Sequence, residues 1–143
     1  NLDSWDGYPA EKKKIIDFIL GDKIKDVIFV TGDTHASWAI EAATDVKKTY
    51  SPFAIEFGTT SISSANDNEY HSTDTVKMME NALLKANPHI KYINDRDHGY
   101  LLLTLYPQKT KAEWYFVESL REPETKEYLA RKFEVERGTT KLK

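Results

Sequence analysis

The sequence predicts an α/β layered sandwich in which a mixed sheet is followed by antiparallel C-terminal strands. In the first two thirds of the chain, segments with helical periodicity alternate with short apolar runs that are typical of strands, whereas the last third holds consecutive segments of alternating polarity. The chain has 143 residues, of which 40% are hydrophobic and 30% charged. This length and composition are those of one globular domain with a buried core.

The first predicted elements are a helix and a buried strand. Glu11 to Leu20 places its apolar residues on one helical face, with Pro9 near the start and Gly21 just past the end. Val27 to Val30 is an unbroken run of β-branched and aromatic residues, which is typical of a strand covered on both faces. We expect this strand to be central in its sheet and parallel to a neighbour.

The middle of the chain predicts two further helices around a short strand. Ala36 to Ala43 is predicted to be a short helix, and Phe53 to Phe57 a short strand that leads into the polar loop Gly58 to Ser64. Thr73 to Ala86 carries apolar residues along one face and begins with residues suited to a helix start, while Pro88 is a stop signal.

The last third predicts an antiparallel meander that continues the sheet. Within it, Leu101, Leu103 and Leu105 alternate with other residues and are expected to face the core. The predicted strands are Ile90 to Ile93, Tyr100 to Tyr106, Lys111 to Val117 and Tyr128 to Val135.

Composition excludes several classes of function. The net charge of -3 offers no general attraction to nucleic acid, and the basic run Lys12 to Lys14 is explained by a solvated helix face. No apolar run is long enough to predict a membrane span. Because the chain has no cysteine, it has no disulfide, thiolate nucleophile or cysteine metal site. Any metal must be bound by His, Asp, Glu, Asn or backbone oxygen.

The most informative stretch is Gly32-Asp33-Thr34-His35, which directly follows the predicted buried strand. In layered α/β proteins, ligands bind beyond the carboxyl ends of the strands, and a glycine there lets the backbone turn sharply. A carboxylate and an imidazole two residues apart on a tight loop can each reach one metal of a pair about 3.5 to 4 Å apart. The pattern therefore predicts a metal site. The alternative is that Asp33 caps the following helix and His35 is an ordinary histidine.

Other candidate residues have weaker patterns. Trp5, Asp6 and Tyr8 are candidates for lining a substrate cleft, although a hydrophobic anchor with its cap at a helix start explains them too. We expect His89 to be structural and His71 to be solvated.

A cluster of hydroxyl groups follows the strand at Phe53 to Phe57. Its side chains are candidates for hydrogen bonds to phosphate, but no paired base is visible in the sequence, and nucleophilic serine chemistry has little support. The cluster consists of Thr60, Ser61, Ser63 and Ser64.

Five blocks in a fixed order resemble the C-terminal half of the PhoD-like phosphatases, a family of the metallophosphoesterase superfamily. The resemblance covers about residues 1 to 118. The blocks are Asp3 to Glu11 (DSWDGYPAE), the Gly32 to Trp38 loop (GDTHASW), Glu56-Phe57 with Thr59 to Ser64 (TTSISS), Asn87 to Tyr92 (NPHIKY), and Gly99-Tyr100.

The resemblance implies a fold, an activity and a site. The implied fold is a two-sheet sandwich of metallophosphoesterase type. The implied activity is the hydrolysis of phosphate mono- or diesters, which are the expected substrates. The reaction is expected to take place at a centre that contains iron and calcium. Asp33 and His35 match the last metal-binding loop of the family, and the preferences of carboxylate and imidazole assign Asp33 to calcium and His35 to the transition metal.

The resemblance further implies that residues 1 to 143 are the C-terminal portion of a catalytic domain rather than a complete one. The missing N-terminal half would supply most metal ligands, and the isolated chain is expected to be inactive. Export to the periplasm or the extracellular space is expected, with the signal preceding Asn1. The alternative is a non-catalytic binding or interaction domain that keeps the fold without the upstream ligands.

Two positions depart from the family pattern. Lys12 stands where the family usually has arginine after Pro-Ala-Glu, and His98 precedes Gly99-Tyr100 where the family often has arginine. Lysine cannot make the bidentate contact with phosphate that arginine makes.

Overall fold

The computed structural model describes residues 3–46, 50–123 and 125–143. Among these residues, the two helices are α1 (Pro9–Gly21) and α2 (Thr73–Ala86), and short 3-10 turns lie at Trp5–Gly7 and Asp67–Glu69. The strands are β1 (Ile28–Thr31), β2 (Ser37–Ala43), β3 (Pro52–Gly58), β4 (Ile90–Asn94), β5 (Gly99–Leu105), β6 (Lys109–Val117) and β7 (Glu127–Glu136).

The strands form two sheets, which confirms the predicted α/β fold class. The first is a mixed sheet of order β1-β3-β2-β4, in which β1 is parallel to β3 and the other pairs are antiparallel. The second is the antiparallel sheet β5-β6-β7. The C-terminal meander was predicted to continue the first sheet. Instead, only β4 joins that sheet, and β5 to β7 form a separate layer.

The core lies between the two sheets. Phe57 of β3 packs against Trp114 of β6 with 5.8 Å between ring centroids, and the indole N–H of Trp114 donates to the carbonyl oxygen of Gly58 at 2.9 Å. All three residues are buried. Leu105 was expected to face this core, but it is 74% exposed because it is the last residue of β5, beyond the packed part of the sheet.

The helix predicted at Ala36 to Ala43 is wrong, because these residues fall largely within β2. Ser37, Ala39 and Glu41 are buried and alternate with more exposed residues, which is the period of a strand. Pairing with β3 on one side and β4 on the other decides the conformation. Alanine is common in helices, but a strand between two partners overrides that preference.

The strand predicted at Val27 to Val30 exists as β1, and its parallel pairing is confirmed. Its predicted central position is wrong, since β1 is at the edge of the sheet among the described strands and Val30 is 60% exposed. The predictions for α1, β3 and α2 are confirmed, because strong periodicity and flanking proline or glycine marked these elements.

The start of β5 lies against β6 without room for a side chain. A Cβ atom built on Gly99 would be 1.9 Å from the carbonyl oxygen of Tyr115. Glycine is therefore required for the two strands to meet here, directly after His98. Within the described ranges, no helix is both long and apolar enough to cross a membrane.

Candidate functional site

Parallel pairing of β1 with β3 brings two loops to one edge of the mixed sheet. Thr31 ends β1 opposite Gly58, which ends β3, and the N–H of Thr59 donates to the carbonyl oxygen of Thr31 at 3.0 Å. The 32–36 loop and the 59–66 loop therefore leave the sheet side by side. This edge is the carboxyl end of both strands, where α/β proteins bind ligands.

The 32–36 loop crosses the end of β3, because β1 and β2 pair with opposite sides of that strand. It must span about 10 Å, two strand spacings, in a few residues. Asp33 and His35 both have left-handed backbones, with φ of 72° and 56°. Such a conformation costs a non-glycine residue about 1 to 3 kcal/mol and persists only where neighbours enforce it. Since β2 follows the loop, Asp33 does not cap a helix.

His35 is held through its ring and through its backbone. Its Nδ1 atom lies 2.8 Å from the carbonyl oxygen of Ala65, so Nδ1 carries the proton that is donated. The neutral ring then keeps its lone pair on Nε2, as a metal-binding histidine does when its other nitrogen donates to a carbonyl. The hydroxyl of Thr60 lies 3.1 Å from the carbonyl oxygen of His35.

A cleft of about 610 Å³ opens beside the 32–36 loop. It brings together Asp33, Trp5 and Tyr8, three of the residues that the sequence singled out. Trp5 and Tyr8 are both exposed, so that their rings are available to a ligand. The cleft is lined by Asp3, Ser4, Trp5, Tyr8, Glu11, Thr31, Gly32, Asp33, Thr34 and Trp38.

Trp38 is a cleft residue that sequence reasoning left without a role. Its indole N–H donates to the hydroxyl of Thr34 at 3.0 Å, which ties the 32–36 loop to the first residues of β2. Its ring also lies over Gly58, where an added Cβ atom would be 2.9 Å from the Trp38 ring. The signal was present in the sequence, since Trp38 ends the same block that contains Asp33 and His35.

Asp6 and His35 are not among the residues that line this cleft. The carboxylate of Asp6 pairs with the ammonium group of Lys12 at 2.7 Å, and this hydrogen bond, with the charge of Lys12, lowers the pKa of Asp6. A substrate-binding role for Asp6 remains a prediction.

Two hydroxyl groups of the 59–66 loop, those of Thr60 and Ser61, form hydrogen bonds within the protein. The Ser61 hydroxyl lies 3.1 Å from Nδ1 of His98, and Nε2 of His98 donates to Glu69 at 2.7 Å. Serine, histidine and glutamate in this order match a hydrolase triad, which no local pattern indicates because His98 lies 37 residues after Ser61 in the chain. The Ser61 hydroxyl, however, also bonds to Asn66 at 2.8 Å and to the carbonyl oxygen of Ser64. Its single proton is shared among several acceptors, so the arrangement ties the loop together.

Glu69 is the charged member of this group. Partial burial raises its pKa, but the hydrogen bonds from the ring of His98 and from the backbone N–H of Asn66 outweigh burial and leave the pKa below its usual value. The carboxylate is therefore ionised at neutral pH and accepts both bonds. His98 itself is only 7% exposed.

The remaining histidines, His71 and His89, are not among the residues that line the cleft. His71 is exposed, as predicted. His89 is partly buried, its Nδ1 atom has no hydrogen-bond partner among the described residues, and burial followed by the charge of Lys91 lowers its pKa. Neither observation gives these histidines a role in the site.

The side chains of Asp33 and His35 would suit two of the ligands of a metal site. Asp33 offers an exposed carboxylate at the cleft, and His35 offers an imidazole whose Nδ1 proton is already committed. In the described part of the chain, no three acidic or histidine side chains are close enough together to hold a metal ion. The two residues suit a metal centre to which other ligands contribute.

Comparisons with known proteins point to the family suggested by the motifs. The family model described as PhoD-like phosphatase matches residues 1–114. The chain is 40% identical over 124 residues to "Alkaline phosphatase D" of Bacillus subtilis (strain 168), a match that covers 86% of this chain and 20% of that protein. It is also similar to a solved structure titled "Structure of PhoD", with a TM-score of 0.80 and 35% identity over 99% of this chain and 26% of that one.

The chain therefore spans about a fifth of the length of the curated relative that it matches. Within that span, the similarity extends from the motif around Trp5 through the loops at the sheet edge to β6. The agreement of motif, fold and family model shows that this chain belongs to the PhoD-like phosphatases, a family of phosphatase enzymes.

Proposed function

We propose that this chain is the C-terminal part of a metal-dependent phosphatase that hydrolyses phosphate mono- or diesters, and that it contributes the last metal-binding loop and one wall of the substrate cleft. The observation that carries the proposal is the cleft that Asp33 shares with Trp5 and Tyr8. A carboxylate beside exposed aromatic rings suits a site where a metal-bound phosphate carries an organic group. Iron and calcium are the proposed metals.

Each residue has a distinct task in this proposal. Asp33 supplies a hard, anionic oxygen suited to calcium, and His35 supplies a nitrogen suited to iron. Trp5 and Tyr8 provide a surface on which the organic group of the ester packs and from which water is displaced. When bound, the metal ions supply the Lewis acidity that transfer of a phosphoryl group to water requires.

Removal and replacement of the metals test this proposal directly. The full-length protein is purified, its iron and calcium are measured, and the hydrolysis of p-nitrophenyl phosphate is followed before and after treatment with a chelator. We expect activity to disappear with the metals and to return when both are added back. A chelated protein that contains no metal and keeps its full rate would overturn the proposal.

A non-catalytic binding domain is the second candidate. It is favoured by the lack of three clustered acidic or histidine side chains in the described ranges, since two ligands do not hold a catalytic metal pair. The two candidates differ in turnover. If the second candidate is right, the full-length protein would bind inorganic phosphate, as measured by calorimetry, but would hydrolyse no phosphate mono- or diester. If the first is right, it would release phosphate from the ester.

The partners and location of the protein follow from the same proposal. A phosphate ester is the substrate, and the remaining portion of the protein, preceding this chain, completes the metal centre. The enzyme is proposed to act in the periplasm or outside the cell. Recovery of the activity from the cytoplasmic fraction alone, after cell fractionation, would contradict that location.

A further inference from the structure

A buried polar network lies behind the 32–36 loop, and Asn66 is its centre. Asn66 is 1% exposed and all of its side-chain hydrogen-bonding atoms are engaged. Its amide nitrogen donates to the hydroxyl of Thr60 at 3.1 Å and to the carbonyl oxygen of Asp97 at 3.3 Å, and its amide oxygen accepts from Ser61 at 2.8 Å. A buried amide in this state fixes the backbone on either side of it.

This network reaches His35 by two routes. Ala65, whose carbonyl oxygen accepts the Nδ1 proton of His35, directly precedes Asn66 in the chain. The hydroxyl of Thr60 accepts a hydrogen bond from Asn66, and its proton lies between two acceptors, the carbonyl oxygens of His35 at 3.1 Å and of Asp97 at 3.0 Å. One route sets the ring of the histidine and the other sets its backbone.

The backbone of His35 needs such support. Its φ of 56° is unfavourable for a residue with a side chain, and it is kept only where surrounding contacts enforce it. The contacts described for His35 are those with Ala65 and Thr60, and both of these residues lie in the 59–66 loop that contains Asn66.

A second contact holds Asn66 from outside the loop. Its backbone N–H donates to Glu69 at 2.7 Å, and the other oxygen of Glu69 accepts from the ring of His98 at 2.7 Å. The side chain of Asn66 is thus fixed by Thr60 and Ser61, while its backbone N–H is fixed by the Glu69 carboxylate.

We propose that Asn66 is a positioning residue for His35. It holds the Ala65 carbonyl where that group takes the Nδ1 proton, and it holds Thr60 where that hydroxyl supports the strained backbone of His35. Nε2 is thereby the nitrogen available to a metal ion, in a fixed orientation. The inference rests on the proposed metal-binding role of His35, and it assigns to Asn66 no contact with metal or substrate.

The main test is Asn66→Asp in the full-length protein. The aspartate keeps an oxygen that accepts from Ser61, but it places a second oxygen against Thr60 and the Asp97 carbonyl, where the amide donated. We expect iron affinity, measured by titration of the chelated protein, to weaken by about 10- to 100-fold, and kcat to fall with it. We expect KM to change by less than about threefold, because the cleft wall is untouched.

Milder variants keep the inference falsifiable if Asn66→Asp does not fold. Thr60→Val removes the hydroxyl at nearly constant shape and should lower iron affinity, whereas Thr60→Ser keeps the hydroxyl and should restore it. Ile62→Ala, at an exposed residue of the same loop, should leave iron affinity unchanged. Val76→Ala, at a buried residue of α2, should lower the melting temperature without changing iron affinity.

The outcomes separate this inference from the proposed function. Unchanged iron affinity in both Asn66→Asp and Thr60→Val, in a protein where His35→Ala loses iron, overturns the positioning role and leaves the proposed function standing. Unchanged iron affinity in His35→Ala overturns both. An equal loss of iron affinity in Val76→Ala shows that the effect is general destabilisation, and this too overturns the positioning role.

Discussion

The Nδ1 atom of His35 lies 2.8 Å from the carbonyl oxygen of Ala65, 30 residues later in the chain. This bond and the contact of the Thr60 hydroxyl with the His35 carbonyl oxygen join the 32–36 loop to the 59–66 loop, and both are made possible by the parallel pairing of β1 with β3. A histidine ring with one nitrogen committed in this way has one nitrogen left for a metal ion, so its chemistry can be tested by removing the ring.

Removal of the His35 side chain should abolish activity. In the full-length protein, we expect His35→Ala to lower kcat by at least about 100-fold and to reduce iron content, because alanine offers no ligand. His71→Ala is the matched control, since His71 is exposed and does not line the cleft, and it should leave both quantities near wild type. Equal losses at both positions would show that the loop is wrongly assigned.

Asp33→Asn should lower metal content more than stability. Asparagine tolerates the left-handed backbone that Asp33 adopts, so we expect the free energy of unfolding to change by less than about 0.5 kcal/mol. The neutral amide cannot replace the charge of a carboxylate on calcium, so calcium content and kcat should fall. Elemental analysis with a melting curve makes the comparison. A variant with full iron and calcium content and a wild-type rate would refute the ligand role.

The aromatic wall of the cleft should affect KM. Trp5→Ala and Tyr8→Ala are each expected to raise KM for an aryl phosphate by about five- to tenfold with little change in kcat, since both rings lie in the cleft and would bind substrate and transition state alike. Phe18→Ala removes an equally exposed ring from α1 outside the cleft and should change neither constant. If kcat fell instead and KM held, the rings would have a role in the reaction itself.

Asp95 should make the protein less stable as pH rises. Burial, and then the negative charge of Asp67, raise the pKa of Asp95 from 3.8 to about 6. The folded state therefore holds this proton more tightly than the unfolded state, and stability is lost as pH rises through the window from about 4 to about 6. We expect Asp95→Asn to increase the free energy of unfolding at about pH 8 by about 1 kcal/mol, allowing for solvent screening, and to have no effect below about pH 4.

A double-mutant cycle identifies the cause of this effect. Asp67→Asn removes the same repulsion, so the double variant should be no more stable than the better single variant at about pH 8. Urea unfolding at two pH values gives all the required free energies. If Asp95→Asn increased the free energy of unfolding equally at both pH values, ionisation of Asp95 would not be the cause of the stabilisation.

Gly99→Ala should destabilise the second sheet. The added Cβ atom would be 1.9 Å from the Tyr115 carbonyl oxygen, so β5 and β6 must separate, at a cost of about 1 to 3 kcal/mol or more. Gly21→Ala, at the end of α1, meets no atom within 4 Å and should leave stability unchanged or slightly higher. A wild-type melting temperature for Gly99→Ala would contradict the described approach of the strands.

The sequence predicted most elements because their signals are local. The helix Thr73–Ala86 was predicted with its final bounds, since periodicity and end signals lie within the segment itself. The segment from Ala36 to Ala43 was misassigned because two partner strands, and not its own residues, determine its conformation. The edge position of Ile28–Thr31 likewise depends on strand order, which no local pattern encodes.

The site was predictable in parts only. Asp33 and the aromatic residues Trp5 and Tyr8 stood out as separate motifs, but the cleft that they share depends on the fold. Asn66 gave no signal, because an asparagine in a polar stretch is usually solvated. Its burial follows from the meeting of the 59–66 loop with Asp97, 31 residues away in the chain.

Because Asp33 and His35 have left-handed backbones, selection for stability and selection for catalysis favour different residues at these two positions. Glycine adopts positive φ without strain, so a glycine at either position would relieve the loop while removing a proposed metal ligand. Directed evolution for heat resistance, run without an activity screen, should therefore accumulate glycine at these two positions. If variants are also screened for phosphate release, Asp33 and His35 should be retained, and stabilising substitutions should appear at other positions.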